Sequence, residues 1–410
     1  MSPIVFYHRC VAMKSTPGTA REVFLTFLQL GLTAFGGPTA HIGYFRRALV
    51  ERRAWLSDAQ FTHLLALCQF LPGPASSQLG FALGYERAGW RGAMAAFCAF
   101  TLPSAVMLFG FAQLALTLHS ATGEALFKGL KLVAVVIVAD ALWGMSRQLC
   151  NDTRRRLIGL FAFGLLMTIQ SGWAQWLVIL LGALSGALWL TQAPAMPTET
   201  ALRKPGKRVA LILAAIAMVL LAVLPLLAQN GQPLFTLMDI FYRAGALVFG
   251  GGHVVLPLLE APLIGSAALS ESQFLTGYGI AQAVPGPLFT VAAFYGALFD
   301  TGMHSVIGAT VALAAIFLPG FLLLAAVLPY WQRISAHPQL TNTLAGVNAA
   351  VVGILAAAWI NPVVSASVVH WTDGLIALAG FAALRYWRLS PLWIIAGCVG
   401  ATLGQVLLSA

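Results

Sequence analysis

Four short segments interrupt otherwise apolar runs of this chain, and they carry the residue types that could bind an anion. Two are glycine pairs, Phe35-Gly36-Gly37-Pro38 and Phe249-Gly250-Gly251-Gly252. Two are Pro-Gly-Pro triplets, Pro72-Gly73-Pro74 and Pro285-Gly286-Pro287. Glycine admits positive φ and lets a ligand approach main-chain N–H groups closely. Proline removes a backbone donor and drives the preceding residue out of the helical region. A half-helix restarting after such a break aims unpaired N–H groups and its positive dipole end at whatever lies beyond, which is an anion site without a formal charge. Ser76, Ser77 and Gln78 follow the first triplet and Thr290 the second, and each could donate to an oxyanion oxygen. Gln69 and Gln282 precede the two triplets at matching positions. A single Gly-Gly in a membrane helix is more often a packing or kinking device. Four paired breaks with a repeated glutamine favour a substrate site.

Ionisable residues inside apolar runs are expensive and therefore mark function by default. Arg243, standing where the first copy has Gln29, is the first choice for a fixed positive charge facing a dianion; an arginine snorkelling to the interface is the competing reading. Asp140 could carry a coupling proton, though a structural pair with Lys131 or another helix is favoured. His41 and His253 lie just past the glycine breaks, where protonation would couple pH to anion binding, and where a histidine can equally be a hydrogen-bonding packer. Arg46 and Arg47 could steer anions to a vestibule, although topology alone explains them.

These residues sit in a chain of 410 residues that is 59% hydrophobic and only 9% charged, far from a soluble composition. Apolar stretches of about 20 residues recur, as lipid-spanning helices require, and the alternating ten-residue segments of a membrane barrel do not. The expected fold class is an all-α polytopic membrane protein. The net charge of +10 sits mainly in short turns, the pattern that sets orientation rather than one for nucleic acid. Five scattered cysteines (Cys10, Cys68, Cys98, Cys150, Cys398) form no CxxC, so neither a disulfide framework nor a metal or iron–sulfur site is indicated. No cleaved signal peptide is read in the first twenty residues. The absence of GxxxxGK[ST] and GxGxxG argues against an ATP pump or a cofactor enzyme, and no cofactor is expected.

Thirteen apolar segments can be drawn, and two sets of six match. Phe27, Gly31, Phe35, Gly36 and Gly37 align with Phe241, Gly245, Phe249, Gly250 and Gly251. Leu56, Ser57, Gln60 and Phe61 align with Leu269, Ser270, Gln273 and Phe274, and Gly92, Leu102, Pro103 and Trp143 with Gly308, Leu318, Pro319 and Trp359. The expected organisation is an N-terminal cytoplasmic segment (1–22), a first repeat (23–190), a basic linker with a connecting helix near 209–228 (191–236), and a second repeat (237–410). Seven segments precede the second copy, and its basic turns fall where the first copy has none. Both observations predict halves in inverted topology. The segments 61–85 and 273–298 are expected to be broken or re-entrant, since irregular backbone at membrane depth survives only inside protein or beside water.

This combination resembles the chromate ion transporter (CHR) family, of the long two-domain type. The carrying residues are Phe35-Gly36-Gly37-Pro38, Leu56-Ser57-Asp58 with Phe61, Gln69 through Leu71 and Pro72-Gly73-Pro74, with their echoes at Phe249-Gly250-Gly251, Leu269-Ser270-Glu271 with Phe274, and Gln282 with Pro285-Gly286-Pro287. The resemblance implies secondary transport of chromate out across the inner (cytoplasmic) membrane, chromate resistance, and sulfate as a related or competing anion. The expected partners are that anion and the lipid bilayer; a homodimer stays open. Import of sulfate or another oxyanion is the alternative, and a membrane enzyme or sensor a more distant one. Gly252 replaces Pro38 and the second copy lacks the Arg-rich turn, so the two half-sites are not expected to be equal.

Overall fold

The computed structural model describes residues 18–115, 121–169, 172–191, 202–266 and 268–409. Most of the expected N-terminal segment, part of the turn near 117–126 and the linker residues 192–201 lie outside them. Every regular element among the described residues is helical. The first half comprises α1 (Ala20–Thr33), α2 (Gly37–Phe45), α3 (Asp58–Phe70), α4 (Ala75–Ala115), α5 (Ala121–Leu149), α6 (Thr153–Thr168) and α7 (Gly172–Trp189). After α8 (Lys207–Ala228) come α9 (Pro233–Leu247), α10 (Val255–Gly265), α11 (Glu271–Ala283), α12 (Val291–Leu298) and α13 (Ser305–Val327). The chain ends with α14 (Trp331–Ser335), α15 (Pro338–Ala358), α16 (Ser365–Ser367), α17 (Trp371–Arg385) and α18 (Pro391–Ser409). Among the described residues, four helical stretches, 75–115 (kinked at Gly89), 207–228, 305–335 and 338–367, are long and apolar enough to cross a membrane.

Local chemistry explains where the helices begin and break. Ser57 and Ser270 each open a capping box: the serine hydroxyl accepts from the Gln60 or Gln273 N–H, and the glutamine side chain accepts from the serine N–H. That reciprocal pairing satisfies two of the donors a helix start leaves open. Leu71 and Val284, just before the Pro-Gly-Pro triplets, are extended, as a residue preceding proline must be. α4 is two helices joined at a kink, where Gly89 takes φ +64. Its first part corresponds to α12 and its second to α13. The Arg-rich turn is helical: Arg46–Arg52 continues α2 as a π-helical turn.

The halves are woven together rather than placed side by side. α5 packs on α17 and α18 of the second half, and the equivalent α15 packs on α6 and α7 of the first. The second part of α4 runs antiparallel to its own counterpart, α13. Phe97 meets Phe317 and Phe321, with ring centroids 5.2 and 4.9 Å apart. Sixteen residues later, Gln113 donates to Ser305 Oγ at 3.2 Å. Small residues permit the close approaches, as is usual between membrane helices. A Cβ on Gly31 would stand 2.8 Å from the Phe100 carbonyl oxygen, and its equivalent Gly245 abuts the Ile316 carbonyl.

Because Gly245 has no room while Gly164 faces open space, Gly245→Val is expected to destabilise the fold by about 1–3 kcal/mol or more. Gly164→Val should leave it unchanged. Thermal unfolding of the two purified variants, read by gel-filtration homogeneity, checks this.

Candidate functional site

Each interruption leaves one main-chain group without a helical partner, and the partner comes from the other half. Ala34 and Val248 end α1 and α9 in extended conformation, freeing their carbonyls from the helix path. Gly73 and Gly286 hold φ +121 and +108, which turns their N–H groups outward. The Gly73 N–H then donates to the Val248 carbonyl at 2.7 Å, and the Gly286 N–H to the Ala34 carbonyl at 3.0 Å. These are one bond made twice, since Ala34 corresponds to Val248 and Gly73 to Gly286. The four breaks therefore meet at a pseudo-two-fold junction.

The glycines are also there for space. A Cβ on Gly286 would lie 2.8 Å from Ser104 Oγ, and one on Gly73 3.1 Å from Gly320 Cα; Ser104 and Gly320 are themselves equivalent. Pro38 and Gly252, at matching positions, face each other, with a Cβ on Gly252 falling 3.0 Å from Pro38 Cγ. One ring fits at that meeting point, which is why the second copy carries glycine where the first carries proline.

The polar groups gathered here differ between the halves. Gln78, fully buried, donates through Nε2 to the Pro72 and Gly320 carbonyls at 2.9 and 3.0 Å. Its Oε1, the Ser77 hydroxyl and the Thr101 hydroxyl are buried without a protein partner. His41 is buried; its Nε2–H donates to the Ala34 carbonyl at 3.2 Å, the same oxygen that receives Gly286. That bond leaves Nδ1 to accept a long contact from Ser76 Oγ at 3.5 Å, and the ring packs edge-on against Phe100. In the second half Thr290 donates to the Pro287 carbonyl at 2.5 Å. His253 Nδ1 pairs with the Tyr278 hydroxyl at 2.6 Å, and Gln282 sits beside that hydroxyl. Phe35 and Phe249 are half-buried, whereas Gln69 is exposed and Gln282 half-buried, so the repeated glutamines do not occupy equal surroundings.

The starts of α2 and of the 3-10 turns Gly252–Val254 and Leu288–Thr290 have no side-chain cap, in contrast to α3 and α11. Donors left open beside buried hydroxyl and amide groups suit an oxyanion.

The charged candidates are spoken for. Arg243 is ion-paired on its own helix with Asp239, a buried carboxylate one turn earlier. The i, i+4 spacing could have signalled it. The charge acting on Asp140 is Arg385 of α17, while Lys131 faces Glu271 and Asp373. Arg46 pairs with Asp58 at 2.8 Å on the surface, and Arg47 is exposed. At the positions matching Arg46 and Asp58 the second half carries Glu260 and Glu271, and Glu271 is the charge acting on Glu260. An ion pair is thus replaced by two carboxylates. Glu260 lines a cavity of about 240 Å³ with Gln175, Pro257 and Asn361. Asn348 also escaped notice: its Oδ1 is buried without a partner, 3.6 Å from where a Gly250 Cβ would be. An amide in the apolar run of α15, where the first half has Leu132, was the available signal.

Comparison with known proteins agrees with this architecture. The chromate transporter family profile matches residues 21–187 and 235–404. The chromate transport protein of Cupriavidus metallidurans is 32% identical over 390 residues, 92% of this chain and 91% of its own. The probable chromate transport protein of Synechococcus elongatus is 30% identical over 408 residues, covering 92% and 93%. A chromate transport protein of Pseudomonas aeruginosa is 29% identical over 383 residues, covering 91% and 88%. No solved structure gives a significant match.

If Pro38 and Gly252 share one space, Gly252→Pro alone should lower the thermal unfolding midpoint by several degrees. The double variant with Pro38→Gly should recover most of that loss. Additive losses in a double-mutant cycle would mean the two positions do not meet.

Proposed function

Since the chain belongs to the chromate transporter family, we propose that it is a secondary transporter carrying chromate out across the cytoplasmic membrane. Sulfate competes for the same path, and chromate resistance is the physiological outcome. The observation that carries this reading is the pseudo-two-fold junction, with three uncapped helix starts around it and the buried Ser77 and Thr101 hydroxyls free to donate. Those donors fit a tetrahedral dianion that must shed water to enter.

The two repeats are read as inverted across the bilayer. The antiparallel packing of the second part of α4 against α13 supports that reading, as does the opposite charge bias of matching turns. α3 and α11, with 13 residues each, reach about 20 Å at 1.5 Å per residue, short of a hydrocarbon core of about 30 Å. That length supports half-membrane hairpins closed at the Pro-Gly-Pro triplets.

Outward movement has a driving force without ATP. Each charge crossing 100 mV gains about 2.3 kcal/mol, so a dianion leaving a negative interior gains roughly twice that. The mouths differ in the same sense. Exposed Arg47 offers a cation on the side read as cytoplasmic, while the matching turn of the second half has no basic residue and sets Glu271 beside Glu260. Clefts lined by one sign of charge change local ion concentration by about tenfold or more.

Labelled chromate accumulation in energised cells is the direct measurement. Expression of the native chain should lower accumulation, excess sulfate should weaken the effect, and collapsing the membrane potential should abolish it. Ser77→Ala with Thr101→Val should lose most of the transport while the protein is still found in the membrane. Equal accumulation in expressing and empty cells would overturn chromate export and favour sulfate or another oxyanion. Glu260→Arg, which recreates with Glu271 the pair of the first half, is expected to make external chromate a stronger competitor by about tenfold. Counterflow into right-side-out vesicles reads that change.

A further inference from the structure

α5, α6, α15 and α17 surround a cavity of about 930 Å³ whose lining contains none of the glycine-pair or Pro-Gly-Pro residues. Its walls are aromatic and aliphatic, Trp143, Leu160, Phe163, Trp359, Leu378 and Phe381 among them. Trp143, Leu160 and Leu378 are also exposed, so the cavity is a cleft open to the side of the molecule. In a protein that spans a membrane, that side is lipid. At about 30 Å³ for a group of water or methylene size, the cleft holds about thirty such groups, the scale of two fatty-acyl chains.

One end of the cleft is basic. Arg156 lines it, its Nε donating to the Cys150 carbonyl at 3.1 Å, which holds the guanidinium at the rim. The Arg385 guanidinium stands 5.7 Å from the Trp143 ring centroid; Arg147 is exposed near the end of α5 and Arg388 in the turn after α17. Asp140 is the acid acting on Arg385, and one carboxylate does not balance these cations. Arg154 and Arg155 are held elsewhere, on the Trp189 carbonyl and on Asp152. Beyond the opposite end, at Gly374, Lys128 is paired with Asp373 at 2.7 Å and Lys131 faces Glu271 and Asp373, so two cations meet two carboxylates. An amphiphile entering the cleft therefore meets unbalanced positive charge at one end only.

We propose that this cleft is a binding site for an anionic phospholipid, with its acyl chains between α5, α6, α15 and α17 and its phosphate at Arg156 and Arg385. Basic rims between membrane helices suit acidic headgroups. A second copy of the chain fits less well, because pairing this face with itself would set the arginine rims against each other.

The test uses the full-length protein, delipidated in a neutral detergent and titrated with dioleoyl-phosphatidylglycerol or dioleoyl-phosphatidylcholine. Phosphatidylglycerol should raise the unfolding midpoint by several degrees and persist as a bound adduct in native mass spectrometry, while phosphatidylcholine does neither. Arg156→Gln with Arg385→Gln should weaken phosphatidylglycerol binding about tenfold or more. Ala356→Trp, which fills the cleft without changing charge, should abolish it. Inorganic phosphate or glycerol phosphate alone should not reproduce the shift. Equal effects of the two lipids, a shift from phosphate alone, or a doubled mass that Ala356→Trp abolishes would each overturn the proposal.

Discussion

Four main-chain groups, the N–H of Gly73 and Gly286 and the carbonyls of Val248 and Ala34, hold this fold at its centre. A polytopic membrane protein cannot interrupt a helix cheaply, because each unpaired backbone group in hydrocarbon costs several kcal/mol. Here each half opens a donor at its Pro-Gly-Pro and an acceptor after its glycine pair's preceding helix, and neither half can satisfy its own. Crossing the bonds between halves answers both needs at once. The intertwining of α5 with α17 and α18, and of α15 with α6 and α7, follows the same exchange.

That constraint also explains where the chain is polar. Once the breaks are fixed, the helix starts around them keep donors that no side chain caps, while the starts of α3 and α11 are closed by serine and glutamine. The difference separates the capped ends from those around which the anion site is proposed. Formal charge is kept out of the junction: Arg243 carries its own counter-ion in Asp239.

The halves are equal in backbone and unequal in chemistry. Pro38 faces Gly252, Gln78 fills the space that Gly320 leaves, and His41 and His253 take different partners although both lie near a break. The surface pair Arg46–Asp58 becomes the acidic pair Glu260 and Glu271. A duplicated scaffold whose halves share one junction can diverge at such positions while retaining the junction glycines.

Much of this was legible in the residues alone. Apolar length and sparse charge determine a helical membrane protein, and the recurrence of Gly-Gly, Pro-Gly-Pro and the Ser-x-x-Gln caps determines two related halves with breaks at the same places. Those features are local, since proline and glycine act on their own backbone wherever they stand. What met what was decided only in three dimensions. That Gly73 bonds Val248 and not its own half, that Pro38 excludes a second proline at 252, that Arg243 is neutralised, and that Asn348 reaches the second glycine break all depend on helix rotation and crossing. Those are set by close packing of small residues from distant segments, and spacing along one chain carries no record of them.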